Sequence, residues 1–187
     1  SELADIAAGC LLMDIGMTRV PPGIHSRQGP LSIEERRIVR DHVQASAGLY
    51  EASGLHDVAV LEIIRGHHER HDGSGYPMGI AGSAIPLHCR IAGLVDSYDA
   101  MVSDRPYRRA MSRHDALQKL YRECGRGFQA ELVEQFMQCM GVYPVGSLVE
   151  LESGARRGGL RLRALGRIGR RQRARNRGLL DDEAVIA

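Results

Sequence analysis

Gly66-His67-His68-Glu69-Arg70-His71-Asp72-Gly73-Ser74-Gly75-Tyr76-Pro77 places three imidazoles and two carboxylates within seven residues, then runs into a glycine-rich turn. Adjacent histidines are costly in a core and unremarkable on a surface. At a helix end that faces other acids and imidazoles they become metal ligands, because iron, manganese and zinc accept imidazole and carboxylate donors together. The reading of the fold therefore turns on whether helices deliver further donors to this point.

Working outward, Val58, Leu61 and Ile64 recur at helical spacing, so a helix is expected from Asp57 to about Glu69. Upstream, Ser32-Ile33-Glu34-Glu35 is a capping box that opens a helix running to about Tyr50. Residues 17–31 are rich in Pro and Gly and read as a loop, and Asp14-Ile15-Gly16 ends a first short helix, Leu3 to Met13, with an apolar set at Leu3, Ile6, Ala7, Cys10 and Leu11. Downstream, residues 72–87 read as a loop and Arg90 to Val102 as a central apolar helix. Ser112-Arg113-His114-Asp115 opens a helix to about Cys124, and Glu131 to Met140 supplies one more. Only Ser147 to Leu151 has strand character. These spacings predict an all-α fold of six or seven helices, with a short C-terminal strand and a basic tail.

Composition agrees with helix packing. The chain has 187 residues, 43% hydrophobic and only 4% aromatic with no Trp, so aliphatic side chains must fill the core. No apolar run approaches the roughly 20 residues of a membrane span, and no secretory signal pattern is present. The chain begins inside a helical pattern, which reads as a piece of a longer protein. Cys10, Cys89, Cys124 and Cys139 are far apart and form no C-x-x-C pair, which suggests reduced, mostly buried thiols and a cytoplasmic setting. From residue 155 on there are ten arginines against three acids, while the rest of the chain is mildly acidic. That gives two expected units: a helical domain over residues 1–147 and a small Arg-rich extension over 148–187. The tail reads either as a basic arm for nucleic acid or anionic membrane, or as a solvated tail or a stretch in a shifted frame. No aromatic or structured motif accompanies its charge, which favours the second pair.

Candidate ligands come from separate helices. His42 lies inside the Ser32 helix, Asp14 ends the first helix, and Asp96 lies in the apolar run Ala92 to Asp99, where a carboxylate is expensive unless paired or metal-bound. Taken singly, His42 reads as an exposed helix residue, Asp14 as a turn residue and Asp96 as a salt-bridge partner. The joint pattern with His67 and His68 favours a metal centre.

His67-His68-Glu69-x-x-Asp72-Gly73-Ser74-Gly75-Tyr76-Pro77 resembles the signature of HD-GYP domains, relatives of the HD metal-dependent phosphohydrolases. Asp14-Ile15-Gly16 with Val20-Pro21, Gly29-Pro30-Leu31-Ser32 leading to His42, Ile85-Pro86-Leu87, Asp96-Ser97-Tyr98-Asp99-Ala100-Met101 and Asp104-Arg105-Pro106-Tyr107-Arg108 follow in the family's order. The resemblance covers about Leu3 to Leu151 and implies an HD-type helical bundle that hydrolyses cyclic di-GMP with two or three divalent transition metals, such as Fe or Mn. Carried over, Asp14, His42, His67 and His68 would hold one ion. A second would share Asp14 and add Asp96, with Asp14 counted among the catalytic residues. Tyr76, Arg105 and Arg108 would contact substrate. Gly75, Tyr76 and Pro77 would form a loop able to dock a diguanylate cyclase domain, and a sensor or receiver domain would precede the chain.

Two positions depart from the family's pattern. Met13 stands where the family has the His before Asp14, and Met17 where it has a phosphate-binding Lys. A thioether is a poor ligand for hard or borderline divalent ions, and the loss of a cation removes charge stabilisation from phosphoryl transfer. The expectation is one intact, tightly held metal, a second site in doubt, and weak or lost hydrolysis. The alternatives are a working phosphodiesterase and a non-catalytic docking module.

Overall fold

The computed structural model describes residues 2–27, 29–104, 109–141, 148–152 and 161–165. Its helices are α1 (Glu2–Leu12), α2 (Pro22–His25), α3 (Ile33–Arg40), α4 (His42–Ala52), α5 (Val58–Gly66), α6 (Leu87–Val102), α7 (Arg113–Arg122) and α8 (Ala130–Met140), with 3-10 turns at Ile15–Arg19 and Gly82–Ala84. The fold is all-α, as the spacing predicts. Strand β1 (Leu148–Glu152) matches the expected one, and it pairs antiparallel with a second strand, β2 (Arg161–Leu165), which the basic composition of the tail had hidden.

The start signals work as read. The Ser32 hydroxyl accepts the Glu35 N–H while the Glu35 carboxylate accepts the Ser32 N–H, closing the capping box at the head of α3. Asp57 accepts the Val60 N–H at the head of α5, and Ser112 accepts the Asp115 N–H at the head of α7. Each such cap is worth about 1 kcal/mol.

Three local expectations change. The segment 17–31 is not a plain loop: it folds into the 3-10 turn and the one-turn α2, where Pro22 supplies a preset φ at the helix start. The helix expected from Ser32 to Tyr50 is interrupted at Asp41, so His42 becomes the first residue of α4 rather than a mid-helix residue. On α1, Leu3 and Leu11 face solvent, and the inward face runs instead through Ile6, Gly9, Cys10 and Met13.

Helix α6 is the spine. On one side Ala92 joins Met13, Ala47, Tyr50, Val60, Ile63 and Ile64, contributed by α4, α5 and the end of α1. On the other, Leu94, Tyr98 and Met101 pack with Ala116, Leu117 and Leu120 of α7 and Val133 of α8. The core is aliphatic, as the scarcity of aromatics requires, with one edge-on aromatic pair, Tyr98 and Phe136. All four cysteines are free; Cys89 is buried and its thiol is pushed up to about 12 by desolvation, but Cys10 and Cys124 are half-buried and Cys139 is exposed, so the set is less buried than expected. No helix among the described residues is long and apolar enough to cross a membrane.

Candidate metal centre

Three helix ends, those of α1, α4 and α5, meet in front of α6. Asp14 follows α1 and leads the 3-10 turn, which is clamped onto α4: the Gly16 N–H donates to the buried Ser46 hydroxyl at 2.8 Å. Gly16 lies so close to α4 that a Cβ there would stand 2.2 Å from the His42 carbonyl oxygen. Only glycine permits this approach, and the approach brings the Asp14 carboxylate to the His42 ring. His42 opens α4, His67 caps the end of α5, and His68 follows in the turn.

The imidazoles are oriented by the backbone. His42 Nδ1 donates to the Val39 carbonyl at 2.6 Å, and His67 Nδ1 to the carbonyls of Ile63 at 3.2 Å and Ile64 at 3.0 Å. A carbonyl can only accept, so Nδ1 carries the hydrogen in both rings, and Nε2 of each neutral ring presents a lone pair. Those two Nε2 atoms are buried without an aligned hydrogen bond, yet they stand 3.1 Å and 3.6 Å from Asp14 Oδ1. Lone pairs converging on a carboxylate oxygen repel one another unless positive charge lies among them. Histidine anchored through one nitrogen and aimed through the other is the usual construction of a metal ligand.

His68 completes the set. Its ring centroid lies 4.0 Å from that of His67 and 5.1 Å from that of His42. Burial, reinforced by the neighbouring His67 and His42, drives its pKa down to about 2, so it stays neutral and able to ligate. The electrostatics of the partners run the other way. His42 and His67 hold the Asp14 carboxyl well below the ordinary carboxylate range. Burial works to lower His42, but Asp14 and the Val39 carbonyl outweigh it and raise it. Donor atoms of Asp14, His42, His67 and His68 all lie within 4.8 Å of one another, close to the span of about 4 Å that opposite donors on one ion allow. Their chemistry fits a divalent transition metal, and the four are the set expected to hold the first ion.

Asp96, on α6, is not among those four. Its charge nevertheless acts on His42, Tyr76, Arg70 and Cys10, so it faces the same region. Met13 is built into the core between α1, α4, α5 and α6, only 9% exposed. Met17 is half-buried on the 3-10 turn, where its carbonyl contacts His25 Nε2 at 3.1 Å. Arg105 and Arg108, together with Pro106 and Tyr107, lie outside the described residues, as does most of the basic tail.

The non-ligand residues of the quoted segment hold the loop. Asp72 Oδ1 accepts from the Ser74 N–H at 3.0 Å and its hydroxyl at 2.6 Å, forming a tight turn. Gly75 passes so close to the preceding turn that a Cβ would stand 2.4 Å from the Arg70 nitrogen. Glu69 is 5% exposed and accepts the Met78 N–H at 2.7 Å, tying the end of the loop to the residue after His68. Tyr76 donates its N–H to the His68 carbonyl and stacks its ring on His68, centroids 4.6 Å apart and 22° from parallel. It is half-buried, and desolvation pushes its hydroxyl up to about 12. Pro77 is exposed. Sequence reasoning missed the parts played by Ser46, Glu69 and Arg40, whose guanidinium lies over the Tyr76 ring at 4.7 Å. Glu69 was at least inside the quoted segment; Ser46 and Arg40 carried no local signal.

The family profile described as "HD domain" matches residues 1–132. The chain is 38% identical over 144 residues to a cyclic di-GMP phosphodiesterase of Pseudomonas aeruginosa, covering 77% of this chain and 34% of that protein. It is 35% identical over 138 residues to a cyclic di-GMP phosphodiesterase response regulator of Xanthomonas campestris pv. campestris, covering 73% and 36%. The chain thus spans about a third of the length of these curated relatives. Among solved structures, an HDG"Y"P protein from Bdellovibrio bacteriovorus superposes with a TM-score of 0.58 at 18% identity, over 72% of this chain and 42% of that one; it supports the fold alone.

Proposed function

This chain belongs to the HD domain family, in its HD-GYP form, and on that premise we propose that it is a cyclic di-GMP-binding domain of bacterial signalling with one metal site and weakened hydrolysis. The observation that supports this best is the contrast inside one site. The buried Nε2 atoms of His42 and His67 converge on Asp14 without an aligned hydrogen bond, while the neighbouring Met13 is turned into apolar packing.

A bound divalent ion would lower the pKa of a water and neutralise phosphoryl oxygens. The chain's own residues supply the rest. His68 stays neutral, His42 and His67 are aimed by their backbone anchors, and Asp14, half-exposed, contributes the anionic ligand at the mouth. Hydrolysis of the phosphodiester needs water to attack phosphorus as the ribose oxygen leaves with a proton. Met13 brings no imidazole to a second ion, and Met17 brings no cation to the phosphate. The reading therefore keeps binding and weakens turnover. Cyclic di-GMP comes from the activity of the relatives, and these relatives are about twice as long as this chain.

The test is metal analysis of protein purified without chelator, paired with a cyclic di-GMP turnover assay, on the wild type and on the Met13→His, Met17→Lys double variant. The expected result is about one equivalent of transition metal in the wild type, with linear product formed appreciably only by the double variant. A wild type as active as a complete two-metal enzyme sinks the weakened-hydrolysis reading; a wild type without metal sinks the site.

A further inference from the structure

We propose that Arg40 is a phosphate-binding residue of this site, its guanidinium held at the mouth of the cluster by the Tyr76 ring. The proposal rests on the reading of the site as one for a cyclic dinucleotide and names a residue that recognises its phosphate.

Arg40 is the last residue of α3, just before the interruption at Asp41, so the same break that aims His42 inward also places Arg40 at the rim. Its guanidinium carbon lies 4.7 Å from the centroid of Tyr76, and the Tyr76 ring is stacked on His68. A cation fixed to one metal ligand through a single intervening ring is positioned, not merely tethered.

Most other arginines of this region are committed. Arg27 pairs with Glu35, Arg37 with Glu34, and Arg65 with Glu51. Arg70 donates to the His67 and Glu69 carbonyls and to Ser97. Among the described residues, no carboxylate lies within ion-pair distance of Arg40. Contact with an aromatic ring uses the guanidinium face and leaves its N–H edge available. That edge is a planar fork that matches two phosphate oxygens. The need is local as well: the turn after Asp14 carries the neutral Met17 ahead of Arg19, so Arg40 adds positive charge to this side of the site.

The experiment is calorimetric titration of metal-loaded wild type, Arg40→Ala and Arg40→Lys, with cyclic di-GMP and separately with inorganic phosphate, alongside metal content and melting temperature. Arg40→Ala is expected to weaken cyclic di-GMP binding about tenfold and to reduce its salt dependence. Arg40→Lys should fall in between, and metal content and melting temperature should stay at wild-type values. Unchanged affinity in Arg40→Ala overturns the proposal. So does an equal loss in both variants accompanied by loss of metal, which would make Arg40 a prop for Tyr76. If the wild type does not bind cyclic di-GMP, the parent reading fails and the phosphate titration decides. Weaker phosphate binding in Arg40→Ala then upholds Arg40, whereas equal or absent phosphate binding overturns it.

Discussion

The two sides of the candidate metal centre are built on different principles. On the imidazole side, His42 hangs from a backbone carbonyl of α3 just before it, His67 from carbonyls of α5, and His68 is covered by Tyr76. Every orienting contact there is made within three or four residues of its ligand, or within the loop that follows. On the side that leaves α1, Asp14 has no such local anchor. It is placed by a contact 30 residues away in sequence, Gly16 to Ser46, and its predecessor Met13 belongs to the core. On the proposed reading, the difference marks where such a site would decay. Locally anchored ligands survive as a unit, while a ligand position that borders the core can be absorbed by packing at little cost to the fold.

The largest effect should come from the imidazole side. His67 is fully buried and its Nε2 has no other partner aligned for a hydrogen bond. His67→Ala should lower metal affinity by more than the 10–100-fold typical of losing a mere supporting contact to a ligand. Mass-spectrometric metal analysis after gel filtration reads this directly. Asp14→Asn in parallel sharpens the contrast: it removes the anionic donor and should also strip the metal, but without a buried cavity. Metal retained in His67→Ala would break the assignment of the imidazole side.

Next in size is the attachment of the Asp14 turn. A Cβ at Gly16 would meet the His42 carbonyl at 2.2 Å and the Ser46 nitrogen at 2.5 Å, backbone atoms that cannot swing aside. Gly16→Ala should therefore cost about 3 kcal/mol or more in denaturant unfolding, and lower metal content because His42 and Asp14 separate. Ser46→Ala is the graded companion. It leaves the turn in place but orphans a buried N–H, at about 1–3 kcal/mol. If both variants melt like the wild type, Asp14 is positioned by something other than α4.

Much of this centre was legible because its signals are local. The capping box at Ser32, the adjacent histidines before a glycine turn, and the carboxylate after α1 can all be read along the chain, and the four residues Asp14, His42, His67 and His68 do meet. The illegible parts depend on distant contacts. Ser46 looks like any small polar helix residue until Gly16 docks on it. Arg40 looks like a solvated charge until Tyr76 arrives from a loop 36 residues on. The interruption at Asp41 is similar: nothing in Arg40-Asp41-His42-Val43 breaks a helix by propensity, so tertiary packing must set it. The apolar face of α1 was misplaced because Leu3 and Leu11 fit a helical stripe as well as the inward residues do. Strand β2 escaped because its alternating arginines read as charge, not as pattern.

The smallest effect is the one that tests the comparison most directly. If Met13 acts as core, then Met13→Leu conserves volume and apolarity, and should change stability by less than about 1.5 kcal/mol, with metal content and ligand binding unaltered. Met13→His alone has the opposite profile. It places a polar ring among Ala47, Tyr50, Ile63 and Ala92, so without a second ion it should lower the melting temperature. With excess Mn or Fe that loss should be at least partly reversed, because the metal would bind the folded state preferentially. Metal-dependent recovery in Met13→His, absent in Met13→Leu, would mean that packing displaced a ligand from a pocket still shaped for a second ion. Equal melting temperatures with and without metal would mean that the core has closed over the position, and that the imidazole side now works alone.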